Sequence, residues 1–256
     1  MSNRKFVLAP GAFLLLLCVS FAAQDPRSIV DESQKRSTSD SQRYQGTLQV
    51  IDEKTKVTTK RWQYDRIGSH GMSKSMLRFV APAEVKGVAL LVVNHPDRSS
   101  DQWMWTPAIA RERRIAMQDR SGRFFGTDFS FEDLEERDTH QFDYKLVGQE
   151  SIDGTMCWKI ESRPKESKVS QYTRSLVWIR QDNYVVVQIE NFKKDLLIRR
   201  AHYSDIQKLQ NIWTPQTIEM FDVQRKSRTV LKIEMLQYNI PMKDEDFTIQ
   251  AMQRGN

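Results

Sequence analysis

The chain has 256 residues with 39 Lys and Arg against 33 Asp and Glu, a formal net charge of +6, and 39% hydrophobic side chains. That mild, interspersed excess of positive charge lacks the clustered basic stripe that nucleic-acid binding requires. Two cysteines in the whole chain exclude a disulfide-stapled scaffold.

In chain order, Arg4 and Lys5 precede an apolar run at residues 13–17 and then small residues, the pattern of a secretory signal peptide. Cleavage after Ala22 places Ala22 and Ser20 where small side chains are needed. The apolar segment is short for a membrane span, and Leu17 before Cys18 is too large for lipoprotein processing. Residues 1–22 therefore read as a signal peptide and 23–256 as a single domain. That domain carries 37 basic and 33 acidic side chains and only Cys157, expected as a packed strand residue.

Pro26 and the acids after it predict a short amphipathic helix over 26–36, and Ser37 to Ser41 a polar connector. From Tyr44 the hydrophobic period becomes two, with strand-like segments about ten residues apart. They are expected at 47–52, 57–64, 75–80 (closed by Pro82), 102–105 and 113–117. Gly87 to Val93 is the continuous apolar run of the mature chain, predicting a strand covered on both faces. Later segments alternate. Trp158 and Ile160 oppose Cys157 and Lys159; Val187 and Ile189 oppose Gln188 and Glu190; Leu231, Ile233 and Met235 share a face. Residues from Met242 onward predict a turn into a short helix. The expected fold is mainly β: a curved antiparallel sheet of about ten to eleven strands forming a half-open barrel, with an apolar inner face, a charged outer face and short helices against the concavity.

Between the early and late strands lies GRFFGTDFSFEDL, residues 122–134. Gly122 and Gly126 permit tight turns. Ser130 stands as a helix cap with an acid three residues on, and Glu132, Asp133, Glu135 and Glu136 follow where the helix dipole favours acids. This predicts a greasy plug at the mouth of the sheet whose acids face water. A carboxylate pair or metal site from Asp128, Glu132 and Asp133 is the weaker reading. His70, His95, His140 and His202 show no metal-ligand spacing. No nucleophile elbow, phosphate loop or dinucleotide fingerprint occurs, so no catalytic residue, cofactor or metal is expected. Arg111 to Arg114 reads as a charged hairpin or an anion patch.

The order Phe79-Val-Ala-Pro82, Lys86-Gly-Val-Ala-Leu90, Asp101-Gln-Trp-Met-Trp-Thr-Pro107, Arg113-Arg-Ile115 and Phe125-Gly-Thr-Asp-Phe-Ser-Phe-Glu-Asp-Leu134 resembles the outer-membrane lipoprotein-sorting (LolA-like) family of Gram-negative bacteria. The resemblance spans about residues 40 to 250. It implies a periplasmic half-barrel with an apolar cavity for acyl chains, and RND/MMPL-type inner-membrane transporters as partners. The leading expectation is a monomeric, non-enzymatic carrier or chaperone for a lipid or lipoprotein. Its lining is expected from Leu90, Val92, Trp103, Trp105, Phe129, Phe131, Trp158, Trp178, Val187 and Ile189, with Arg113 and Arg114 meeting a headgroup or partner. The alternative is a scaffold module of such a transporter with a self-filled interior; a hydrolase using Asp128, Glu132 or His140 is the third reading.

Overall fold

The computed structural model describes residues 24–96 and 98–254; the expected signal peptide lies outside the described residues. The described residues open with α1 (Pro26–Ser37), capped by Asp25, whose carboxylate accepts from Arg27 N and Ser28 N. Proline in the first turn and a side-chain cap satisfy the orphan amides of that end. Thirteen strands follow: β1 (Ser41–Ile51), β2 (Val57–Ile67), β3 (Lys74–Ala81), β4 (Ala89–Val93), β5 (Asp101–Thr106), β6 (Arg111–Arg114), β7 (Phe142–Ile152), β8 (Thr155–Pro164), β9 (Arg174–Arg180), β10 (Val186–Lys193), β11 (Leu196–Leu209), β12 (Ile212–Asp222) and β13 (Ser227–Tyr238). α2 (Ile249–Arg254) closes the chain.

All thirteen strands form one curved open sheet in the order β6-β5-β4-β3-β2-β1-β13-β12-β11-β10-β9-β8-β7. Two antiparallel meanders thus meet at the β1–β13 pair. The chain walks outward from β1 to one edge at β6, then restarts at the opposite edge, β7, and walks back. The connection, residues 115–141, must span the whole sheet. A flat sheet of this size would hold its edges roughly 60 Å apart at about 4.8 Å per strand. The segment crosses as a strap over the concave face, folded into single turns of 3₁₀ helix, with Phe124 and Phe129 buried in the sheet's main core.

The sheet carries two to three strands more than the ten to eleven expected, because some segments hide their period. In β9, Val177 and Ile179 belong to the concave core while Trp178 packs on the other face, so three consecutive residues are buried and no alternation is visible. The outer face is likewise not simply charged. Met76, Ala89 and Leu91 pack there beneath Phe247 and Met252, so α2 sits on the convex side while α1 lies in the concavity. β4 is covered on both faces as expected: Leu90 and Val92 point inward, Ala89 and Leu91 outward.

Candidate functional site

The concave face holds a cavity of about 340 Å³ lined by Trp62, Leu77, Leu90, Val92, Phe129, Ile218 and Ile233, with Arg66, His70 and Glu136 among its polar residues. A second, of about 240 Å³, lies under α1 against Ser33, Arg36 and Ser37 and shares Tyr203, Trp213 and Pro215 with the first. A third, of about 150 Å³, shares Asp133, Glu135, Glu136, Tyr203 and Met220 with the first. Tyr203 borders all three. Together they fall in the size range of small-molecule sites. A groove of about 520 Å³ on the convex side is lined by Arg43, Asp65, Arg78, Glu245 and Asp246 and is too charged to shelter hydrocarbon.

Two of the main cavity's lining side chains, Trp62 and Leu231, take up the space that Gly46 leaves. Gly46 pairs with Trp62 across β1 and β2, and a Cβ on Gly46 would stand 2.1 Å from Trp62 Nε1 and 2.7 Å from Leu231 Cδ1. Burial pushes the phenols of Tyr64 and Tyr203 up to about 12, with the charge of Glu136 adding to the first and of Asp133 to the second.

The strap roofs part of this space. Phe124 stacks on Phe79 at 5.4 Å and meets Phe131 edge-on at 5.6 Å. Ser130 and Asp133 exchange the reciprocal bonds of a capping box, Ser130 N to Asp133 Oδ2 at 2.8 Å and Asp133 N to Ser130 Oγ at 3.2 Å. The helix they start is a single 3₁₀ turn, Glu132–Leu134. The acids do not hold the plug in water, as the sequence suggests; they turn inward to anchor it. Asp133 lies 3.7 Å from Arg199, Glu135 2.8 Å from Arg120, and Glu136 3.1 Å from Arg66. The side chains of Asp133 and Glu135 are only 5% and 6% exposed. Asp128, fully buried, accepts from Ser227 Oγ at 2.6 Å and Thr229 Oγ1 at 2.8 Å and pairs with Arg123 at 3.0 Å. These carboxylates are occupied by structural partners. Among the described residues no cluster of three or more His, Cys, Asp or Glu is placed to hold a metal.

The ten side chains expected to line a cavity divide between the two faces. Leu90, Val92, Phe129, Phe131 and Ile189 pack in the main concave core, and Trp158 beside Ile29 of α1. Trp103 and Trp105 pair with Leu91 and Ala89, so they share the convex face with them and pack in the cluster under α2. Their neighbour Met104 takes the concave position. Trp178 and Val187 pack on the convex side with Cys157. Val187 leaves the face of Ile189 because the β9–β10 register shifts between Val186 and Gln188, a bulge that inserts one residue. Met235 leaves the face of Leu231 and Ile233 for a similar reason: its φ is +53° and it is 74% exposed, while Leu236 packs inward. Arg113 and Arg114 lie exposed on edge strand β6, paired with Asp119 and Asp101, and line none of the three concave cavities. Sequence reading missed Trp62, Tyr203 and Trp213 as lining; the inward register of Trp62 was available from Gly46 only once β1 and β2 were paired.

A family model whose description is that of an uncharacterized protein matches residues 71–254. No curated protein matches the chain. Among solved structures, one described as an outer-membrane lipoprotein-sorting protein domain from Vibrio parahaemolyticus has a TM-score of 0.85 at 23% identity, covering 90% of this chain and 98% of its own. A DUF1329 family protein from Desulfovibrio piger gives 0.84 at 26%, covering 89% and 99%. A LolA superfamily protein from Nitrosomonas europaea gives 0.71 at 19%, covering 88% and 98%.

Proposed function

The chain belongs to the family matched over residues 71–254 and has the LolA-like fold of outer-membrane lipoprotein sorting, and from that premise we propose that it is a periplasmic carrier for the acyl chains of a lipid or lipoprotein. In this reading residues 1–22 are removed on export and the single domain 23–256 acts without catalysis, taking cargo into the concave cavities and handing it on across the envelope. The observation that carries the proposal is the apolar cavity of about 340 Å³ between the sheet and the strap, continued under α1 by about 240 Å³ more.

The energetics support a shuttle of this kind. An acyl chain in water costs about 0.8 kcal/mol per methylene, so a chain of some fifteen methylenes gains on the order of 10 kcal/mol from a dry cavity before the costs of ordering are met. We assign the lining to Leu90, Val92, Phe129 and Ile189 together with Trp62, Ile218 and Ile233. Arg113 and Arg114, exposed on β6, are assigned to contact with a headgroup or with a partner such as an RND/MMPL-type transporter. Native mass spectrometry of the protein isolated from the periplasm should show an adduct of lipid mass, and the purified protein should move a fluorescent acyl probe between two vesicle populations. Protein free of adduct that also fails to bind the probe would sink the proposal.

A further inference from the structure

The smallest of the three concave chambers, about 150 Å³, contains two charges that the protein itself leaves unanswered. Of the four acids that border it, Asp133, Glu135 and Glu136 each have an arginine within ion-pair distance. Glu132 has none among the described residues. Its carboxylate accepts only from neutral donors, the Ser170 hydroxyl and Gln171 N, the latter at 2.9 Å. Arg137 borders the same chamber and has no carboxylate partner among the described residues. Its guanidinium donates once, to Ser162 Oγ at 3.0 Å, and lies 4.2 Å over the Phe142 ring. A third group is also idle: the Tyr203 hydroxyl, which borders the chamber, makes no hydrogen bond among the described residues.

Half-buried charges without partners are costly, and each is most stable beside its opposite. A purely anionic ligand group would satisfy Arg137 and Tyr203 but leave Glu132 unanswered; an uncharged one would satisfy neither charge. A group carrying an ammonium and a phosphate a few bonds apart answers both. The chamber adjoins the acyl cavity, sharing Asp133, Glu135, Glu136, Tyr203 and Met220 with it, so a head here would lie beside the apolar space its chains enter.

Resting on the carrier reading, we propose that the cargo is a zwitterionic aminoalkyl-phosphate lipid: its phosphate is held by Arg137 and the Tyr203 hydroxyl, its ammonium by Glu132. Burial raises the Glu132 carboxyl above its ordinary value, although the Ser170 and Gln171 bonds oppose this, which is the behaviour of an acid still lacking a cation.

The test compares three lipids with identical chains, a phosphatidylethanolamine, a phosphatidylglycerol and a diacylglycerol, in displacing a fluorescent acyl probe from the purified full chain. Phosphatidylethanolamine should bind about ten-fold tighter than phosphatidylglycerol, the worth of one charge-assisted contact, and tighter still than the diacylglycerol, which lacks the phosphate as well. Glu132→Gln, which keeps an acceptor for Ser170 and Gln171, should bring phosphatidylethanolamine to the level of phosphatidylglycerol. Arg137→Gln should weaken both phospholipids and spare the diacylglycerol. Equal binding of the three lipids by the unaltered protein, or a ranking led by phosphatidylglycerol, overturns the inference and leaves the carrier standing. Failure of all three to displace the probe, with the probe bound, also overturns it. Failure of the probe itself to bind sinks the carrier reading with it.

Discussion

Two segments cover the concave face, and they are built differently. The strap is part of the core: Phe124, Asp128 and Ser130 are fully buried, and its acids reach arginines on β2, β11 and within the strap itself. α1 buries a single side chain, Ile29. Val30 packs partly buried beside it, and polar contacts hold the flanks: Gln34 Nε2 to the Arg137 carbonyl at 2.6 Å, His70 Nε2 to the Gln34 carbonyl at 3.0 Å, and Arg36 over Tyr184 at 4.2 Å. It shows Ser33, Arg36 and Ser37 to the chamber beneath it. Lifting the strap would break buried ion pairs and an aromatic stack, whereas lifting α1 would uncover Ile29, Val30 and the sheet side chains packed with them, Trp158, Ile160 and Ile179, and would break no buried ion pair among the described residues. The difference teaches that the strap sets the cavity's shape and α1 is the cover that can open.

The strongest way to break this comparison is to remove Asp128. Asp128→Ala leaves Arg123 without its partner and two hydroxyls without an acceptor. A loss of about 3–5 kcal/mol is expected, seen as a fall of about 10 °C in thermal melts; an unchanged melting temperature would show the strap to be as loosely held as α1. Next comes Gly46→Ala, whose new Cβ would force Trp62 and Leu231 apart. Overpacking of this kind costs about 1–3 kcal/mol, and it should lower acyl-probe affinity because it deforms the cavity floor. Ile29→Ala tests the other member of the pair. If α1 is the cover, this truncation should cost about 2 kcal/mol, a shift of about 4–8 °C in melting temperature, yet raise the probe's dissociation rate about ten-fold; a larger loss of global stability with an unchanged rate would make α1 a structural element.

How much of this was legible follows from what each feature depends on. Leu90 and Val92 were readable as core because β4 is continuously apolar and covered on both faces, so they are buried whichever face they take. Trp103 and Trp105 have the same spacing, but alternation names two faces without saying which is inner. Their face is set by pairing with Leu91 and Ala89, a contact between strands. Val187 and Met235 were displaced by bulges, where the partner strand decides which residue is extra. The cap formed by Ser130 and Asp133 was legible because it is local. The inward turn of Glu135 and Glu136 was not, since Arg66 comes from β2 and Arg120 from the far end of the strap, contacts made only by the folded chain.

The smallest effect separates the two covers by sign. Asp25, which caps α1, is lowered by the Ser28 side-chain bond. It therefore stabilises the helix above its ordinary value of 3.8, and that contribution is lost as pH falls through its depressed folded value. Glu132 in the strap is raised by burial, so the folded state holds its proton more tightly than the unfolded chain. Its contribution is complete below the ordinary glutamate value of 4.5 and is lost as pH rises through the higher folded value. Moving from neutrality toward pH 4.5 should accordingly tighten the strap at Glu132 while leaving the α1 cap intact, and only stronger acid should loosen α1. Denaturant titrations of the unaltered protein and Glu132→Gln across this range isolate the term, because every other titrating group cancels in the difference. Hydrogen exchange of the first turn of α1 reports Asp25 separately. Parallel pH slopes for protein and variant would mean that Glu132 already has a cation in solution, and the contrast between a dry strap and a wet helix would be lost at that point.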